Sequence, residues 1–201
     1  ESVLNTHNIK VNQNLPCSPT AADTQLRSEM AVIERAYALM VIAACGEGVT
    51  PDQLKKPIEE KSIQGFSPKE QSLLNLTKLN DNQKAYATWR YESLYTLLWA
   101  LNIFPELTSP TNICDVKEVV SKILQPSRDA FISQAKLRST DEILDELDII
   151  YRVNWACVDA RIKGEQVGGG INPSIIYERH YALNWLTQYQ NQDWDDVQTN
   201  T

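Results

Sequence analysis

Glycine and histidine are scarce in this 201-residue chain, with 7 and 2 residues, and the 4 cysteines stand far apart. With only His7 and His180 available, a histidine-based catalytic triad would have to use one of them, and no Ser or Cys has a motif-like context. Cys17, Cys45, Cys114 and Cys157 form no C-x-x-C pair and have no histidine at zinc-ligand spacing, so no metal site is expected and no cofactor is implied. Such scattering suits reduced thiols in a cytoplasmic compartment. The longest apolar run, residues 36–45, is about half of the ~20 residues a bilayer span needs, so a soluble chain is expected. The chain opens on Glu1 rather than Met, which leaves trimming and a removed leader open. Basic runs are missing too. With a net charge of −7 and no cluster of Lys or Arg, nothing attracts nucleic acid or an anionic membrane.

Alternating strand patterns are nearly absent, whereas helix-start grammar recurs. Thr50 with Gln53, Ser67 with Glu70, Asp115 with Glu118 and Ser139 with Glu142 place a capping oxygen three residues before Glu or Gln. Pro51 and Pro68 stand at first helical positions, and Asn172-Pro173 opens the last long helix. The patterns predict an all-α, single-domain bundle of about eight helices. Four are long (29–45, 81–101, 141–163 and 173–190), with shorter ones near 51–61, 68–77, 116–124 and 127–135. The helix ending in "YTLLWALNIF" is apolar nearly all round, so 81–101 should be the buried centre. Residues 1–22 read as an amino-terminal arm with a short helix packed on the body, and 23–201 as the helical domain. Two echoes occur, "ERAYAL" at 34–39 with "ERHYAL" at 178–183, and Leu-Arg-Ser at 26–28 and 137–139. They share no period, so they read as convergent helix chemistry.

On a helical wheel, residues 141–163 gather Asp145, Asp148, Arg152, Asp159 and Lys163 into one stripe, expected to be solvated or salt-bridged. Asn154 and Arg161 fall on the apolar face, where Asn154 needs a partner and Arg161 can snorkel. Along 173–190, Glu178 and Arg179 flank the arc of Ile175, Ala182 and Leu186. Tyr177, His180, Tyr181, Asn184 and Gln188 make a polar, aromatic face, either solvent-exposed or the wall of a binding groove. On that placement, His180→Ala and Asn184→Ala should each change stability by about 0.5 kcal/mol or less. Arg90 and Glu92 point apart along their helix and need partners among Glu34, Arg35, Glu178 and Arg179, most simply as structural ion pairs. Gly168–Gly170 before a helix start could favour an anion, but the Lys-Ser/Thr of a phosphate loop is absent. The acidic tail "DWDDVQTNT" lacks a calcium-loop pattern; Trp194 should pin it to the body and leave its aspartates solvated.

"WRYESLYTLLWAL", "LRSTDEILDELDIIYRVNWACVDARIKG", "INPSIIYERHYALNWL" and "DWDDVQTNT", together with "HNIKVNQNLP", resemble a largely bacterial family, domain of unknown function 4272. The likeness spans nearly the whole chain and implies one domain, although Gly168–Gly170 depart from the family pattern. The family carries no assigned reaction. The resemblance therefore implies candidate positions without roles: Arg90, Glu92, Asp159, Arg161, Glu178, Arg179, His180, Asn184 and Trp185. The residues themselves favour an interaction module that binds a protein or peptide through the polar face of the last long helix, with a homo-oligomer left open. The alternative is an enzyme, such as a hydrolase, using Glu178 or His180 as acid or base in a cleft between helices.

Overall fold

The computed structural model describes residues 9–17 and 19–201. The described residues form eight α-helices and no strand: α1 (Glu29–Gly46), α2 (Pro51–Glu60), α3 (Pro68–Leu74), α4 (Asp81–Ala100), α5 (Val116–Leu124), α6 (Arg128–Gln134), α7 (Thr140–Lys163) and α8 (Pro173–Leu186). None is long and apolar enough to cross a membrane. The starts obey the capping grammar. Thr50, Ser67, Asn80 and Ser139 each form a reciprocal box with the Gln or Glu three residues on. Asp115 supplies its half by accepting from the Glu118 amide. The short helix expected within residues 1–22 lies partly outside the described residues; a single 3-10 turn covers Ala21–Asp23.

Contacts run from α1 to α4, from α4 to α8 and from α8 to α7, so α4 has a long helix on either side. Its carboxy-terminal half is buried on every face, in accord with a central helix. Gly46 sets the closest approach of α1 to α4. A Cβ there would lie 2.7 Å from Thr88 N and 2.9 Å from Ala87 Cβ, and backbone cannot yield as a side-chain tip can. Gly46→Ala is expected to cost about 1–3 kcal/mol in a denaturant melt, the usual penalty of overpacking; a silent substitution would mean that the helices do not cross there.

α8 stops at Leu186 rather than near residue 190, for a tertiary reason. The Arg27 backbone N–H donates to Leu186 O at 2.9 Å, and its Nε donates to Trp185 O at 2.8 Å. The guanidinium also stacks over the Trp185 ring. These bonds satisfy carbonyls that a continuing helix would have used. The chain then turns through Gln188 at φ 53°.

The end of α4 is closed in the same way. Arg138 donates from its backbone N–H to Ala100 O at 2.8 Å and from Nε to Trp99 O at 2.8 Å, and stacks over Trp99. Each arginine belongs to a Leu-Arg-Ser whose serine caps the following helix, Ser28 for α1 and Ser139 for α7. The capped helices match as well. Tyr91, Glu92, Tyr95, Leu97 and Trp99 of α4 correspond at one constant offset to Tyr177, Glu178, Tyr181, Leu183 and Trp185 of α8. Tyr95 donates to Glu106 O and Tyr181 to Trp194 O, so each tyrosine holds the segment that follows its own helix.

The fold is therefore a doubled unit. In each copy a Leu-Arg-Ser-led helix packs on a Tyr-Glu-bearing helix, α1 on α4 and α7 on α8, and the copies exchange their capping arginines. The two Leu-Arg-Ser stretches thus play equivalent parts, each supplying a capping arginine and an N-cap serine. "ERAYAL" and "ERHYAL" lie on α1 and α8, which are not equivalent helices, so convergence still accounts for that echo.

Candidate functional site

Across the α4–α8 contact the repeated glutamates meet arginines. Glu178 accepts from Arg90 Nη2 at 2.8 Å and from Ser93 Oγ at 2.6 Å, with all three residues buried. Burial raises the Glu178 carboxyl above its ordinary range, while Arg90 and Ser93 pull it down. Glu92 Oε2 stands 3.8 Å from Arg179 Nε, close enough for an ion pair and too far for a hydrogen bond. Its other oxygen accepts the Cys114 N–H. Arg179, 1 % exposed, donates to Thr108 O at 2.9 Å, and burial lowers its pKa against the pull of Glu92 and Glu146. Arg90 and Glu92 thus find their partners in Glu178 and Arg179. The other two candidates pair elsewhere: Glu34 with Arg128, and Arg35 with the wholly buried Glu70. In the sequence Glu70 has only the spacing of a capping residue, three after Ser67, and nothing there signals the second bond.

The polar face of α8 is not a surface. His180 is 2 % exposed, Asn184 4 % and Tyr181 6 %, whereas Tyr177, at 42 %, remains open. The wheel treats every face lacking aliphatic residues as outward, but α7, the arm and the tail cover this one. Asn184 Nδ2 donates to Gln198 O at 2.8 Å, and Asn154 Nδ2 on α7 donates to Thr199 O at 3.0 Å, so two side-chain amides clamp the tail backbone. Losing either buried bond should cost about 1–3 kcal/mol, above the surface value expected for Asn184. Gln188, at the far end, donates to Gln25 O. Trp194 is buried, as its place in the tail implies. Asp195 is not merely solvated, for it accepts from Ser67 Oγ and from the Lys69 N–H at the start of α3.

The charged stripe on α7 is bridged, with Asp148 to Arg152, and Asp159 to Lys163 and to Lys10 of the arm. Arg161 is exposed. Among the described residues, no three His, Cys, Asp or Glu side chains gather as metal ligands would. Gly169 and Gly170 take φ of 70° and 68°, which makes the triple glycine a tight left-handed turn. His7 lies outside the described residues.

Two cavities adjoin α8. A small one of about 190 Å³ reaches His180 and Asn184 beneath the arm, beside Leu147 and Tyr151. Burial lowers the His180 pKa to about 4, leaving the imidazole neutral near pH 7, and its Nδ1 has no hydrogen-bond partner. The larger is an open groove of about 1130 Å³ between the second half of α7, residues 165–171, the start of α8 and the tail. Cys157, Val158 and Ile171 supply apolar surface there, and Arg161, Gln166 and Tyr177 supply polar and aromatic groups.

Comparison with curated proteins and with solved structures found no match. A family model does match, and it covers nearly the whole bundle, including both repeated units and the tail as far as Val197. The chain therefore belongs to the family described as domain of unknown function (DUF4272), matched over residues 1–197.

Proposed function

We propose that the protein binds a helical segment of a partner protein in the groove beside α7 and α8. The observation that carries this reading is the asymmetry between the repeated units. In the first, residues 47–80 include α2 and α3, which pack on α1 and bury Leu54 and Leu73. Cys45, near the end of α1, lines a smaller cavity there of about 230 Å³ together with Leu73 and Leu74. The second unit joins its helices by residues 164–172 alone, and the open groove lies there beside the carboxy-terminal half of α7. A surface that helices cover in one copy suits an amphipathic helix in the other, with apolar anchors on Val158 and Ile171 and a polar rim at Arg161 and Gln166.

Of the polar-aromatic face, only Tyr177 belongs to this groove, so the binding reading moves to the amino-terminal end of α8. The net charge of −7 continues to argue against a nucleic-acid partner. Buried free thiols at Cys45, Cys114 and Cys157, set in separate places, suit a reducing compartment such as the cytoplasm. The enzyme alternative has less support. Glu178 has both oxygens bound and is 3 % exposed, and a histidine with a pKa near 4 is a weak base that carries no proton to donate at neutral pH.

The test is selection of a displayed library of helical peptides against the protein, followed by titration of the selected peptide. Tyr177→Ala and Arg161→Ala, both exposed positions, should each weaken binding about tenfold and leave the melting temperature within a few degrees. Selected peptides that bind both variants as tightly as the parent would remove the groove from the account.

A further inference from the structure

The doubled unit supplies an internal control for what each position needs. At the offset that superposes Tyr91 on Tyr177 and Trp99 on Trp185, His180 corresponds to Leu94 and Asn184 to Leu98. Both leucines are fully buried core residues, so the helix pair asks for aliphatic side chains at these two places. The second copy instead carries an imidazole and an amide one turn apart, nearly as buried. Burying polar groups where the fold accepts leucine costs stability and calls for a reason other than packing. Asn184 has one in its bond to Gln198 O. His180 Nδ1 has none, and the residue borders the 190 Å³ cavity.

We propose that this cavity is a binding site for a small neutral molecule with one ring-sized apolar body and a hydroxyl or N–H group that donates to His180. Size sets the first limit. Apolar cavities near 150 Å³ accept benzene, so about 190 Å³ has room for one ring and little more. Charge sets the second, because among the described residues no Lys, Arg, Asp or Glu lines the cavity, and an ion entering it would find no counter-charge among them. The walls set the third: Leu147 and Tyr151 from α7 and Pro16 and Pro19 from the arm are apolar or ring-bearing, and the Tyr151 ring stands edge-on to His180 at 5.9 Å. Burial holds the imidazole neutral, and a neutral imidazole keeps one nitrogen as an acceptor. The cavity adjoins the α7–α8 groove, with Asn200 lining both, but phenol binding in it does not depend on a protein partner.

Phenol is the probe, and anisole, which keeps the ring and oxygen but loses the donor, is its control. Calorimetric titration of the full chain should show phenol binding at least fivefold more tightly than anisole. In His180→Leu, which restores the residue of the matching α4 position and should therefore fold, phenol should lose that advantage and bind no better than anisole. Nitrogen NMR of the parent protein should show one of its two histidines shifting at a ring nitrogen with phenol and not with anisole. The proposal is overturned if phenol does not bind the parent protein, if anisole binds as well as phenol, or if His180→Leu binds phenol unchanged. Should that variant fail to fold, the phenol-to-anisole ratio and the nitrogen shift in the parent protein decide the matter alone.

Discussion

Glu178→Ala and Arg179→Ala are each expected to remove about 3–5 kcal/mol of stability in denaturant melts, because each strands a charge that the core cannot hydrate. Without Glu178, the buried Arg90 guanidinium keeps only the Tyr86 carbonyl and the faces of the Tyr86 and Tyr181 rings. Without Arg179, Glu92 keeps the Cys114 N–H and loses its counter-ion, and Glu146 loses the charge that offsets its own burial. The same reasoning orders the double variants. Replacing Arg90 and Glu178 together by leucine or methionine removes both charges and should cost less than either single alanine substitution. If the single substitutions cost under about 1 kcal/mol, water reaches the α4–α8 contact and these charges are not buried.

The second large effect is on pH dependence. His180 is held near pKa 4 in the folded protein by burial, against 6.5 when unfolded. Between those values the unfolded chain binds a proton that the folded chain does not, so stability falls as pH falls. The contribution is fully present above about pH 6.5 and lost by about pH 4. Over that range it amounts to about 3 kcal/mol, at 1.36 kcal/mol per unit. Glu178 and Glu146, both raised by burial, act in the opposite sense, since their folded forms hold protons longer than the unfolded ones do. Comparing the parent protein with His180→Leu cancels them, and His7 is common to both. Melts at pH 7 and pH 4.5 should show the variant losing less stability on acidification, by roughly 2–3 kcal/mol. Equal acid sensitivity would mean that the imidazole is solvated.

The fold was legible in the sequence to the extent that it is written locally. Thr50, Ser67, Ser139 and Asn172 open helices because an oxygen satisfies amides one turn on, a rule that needs no tertiary knowledge. The end of α8 is not written locally, because its cap, Arg27, arrives from the opposite end of the chain. The need for partners at Arg90 and Glu92 was visible, since two opposite charges on unlike faces of an apolar helix must be answered from outside. The burial of the His180 face escapes periodicity for the converse reason. A wheel equates polar with exposed, and Asn184 and His180 are covered by an arm and a tail whose course no periodicity records. The repeat was half visible in Leu-Arg-Ser; its meaning required seeing that Arg27 and Arg138 close the same two carbonyls on equivalent helices.

Whether the second unit uses its uncovered surface as the first uses α2 and α3 is read most directly by the footprint of a library-selected helical peptide. With the peptide titrated into isotope-labelled protein, the largest amide shifts should fall on residues 157–171 and on Tyr177, together with the Asn154 side-chain amide. The amides of α1, α2 and α3 should stay still. Shifts centred on α1 to α3, or spread over the bundle without a focus at Tyr177, would contradict the account.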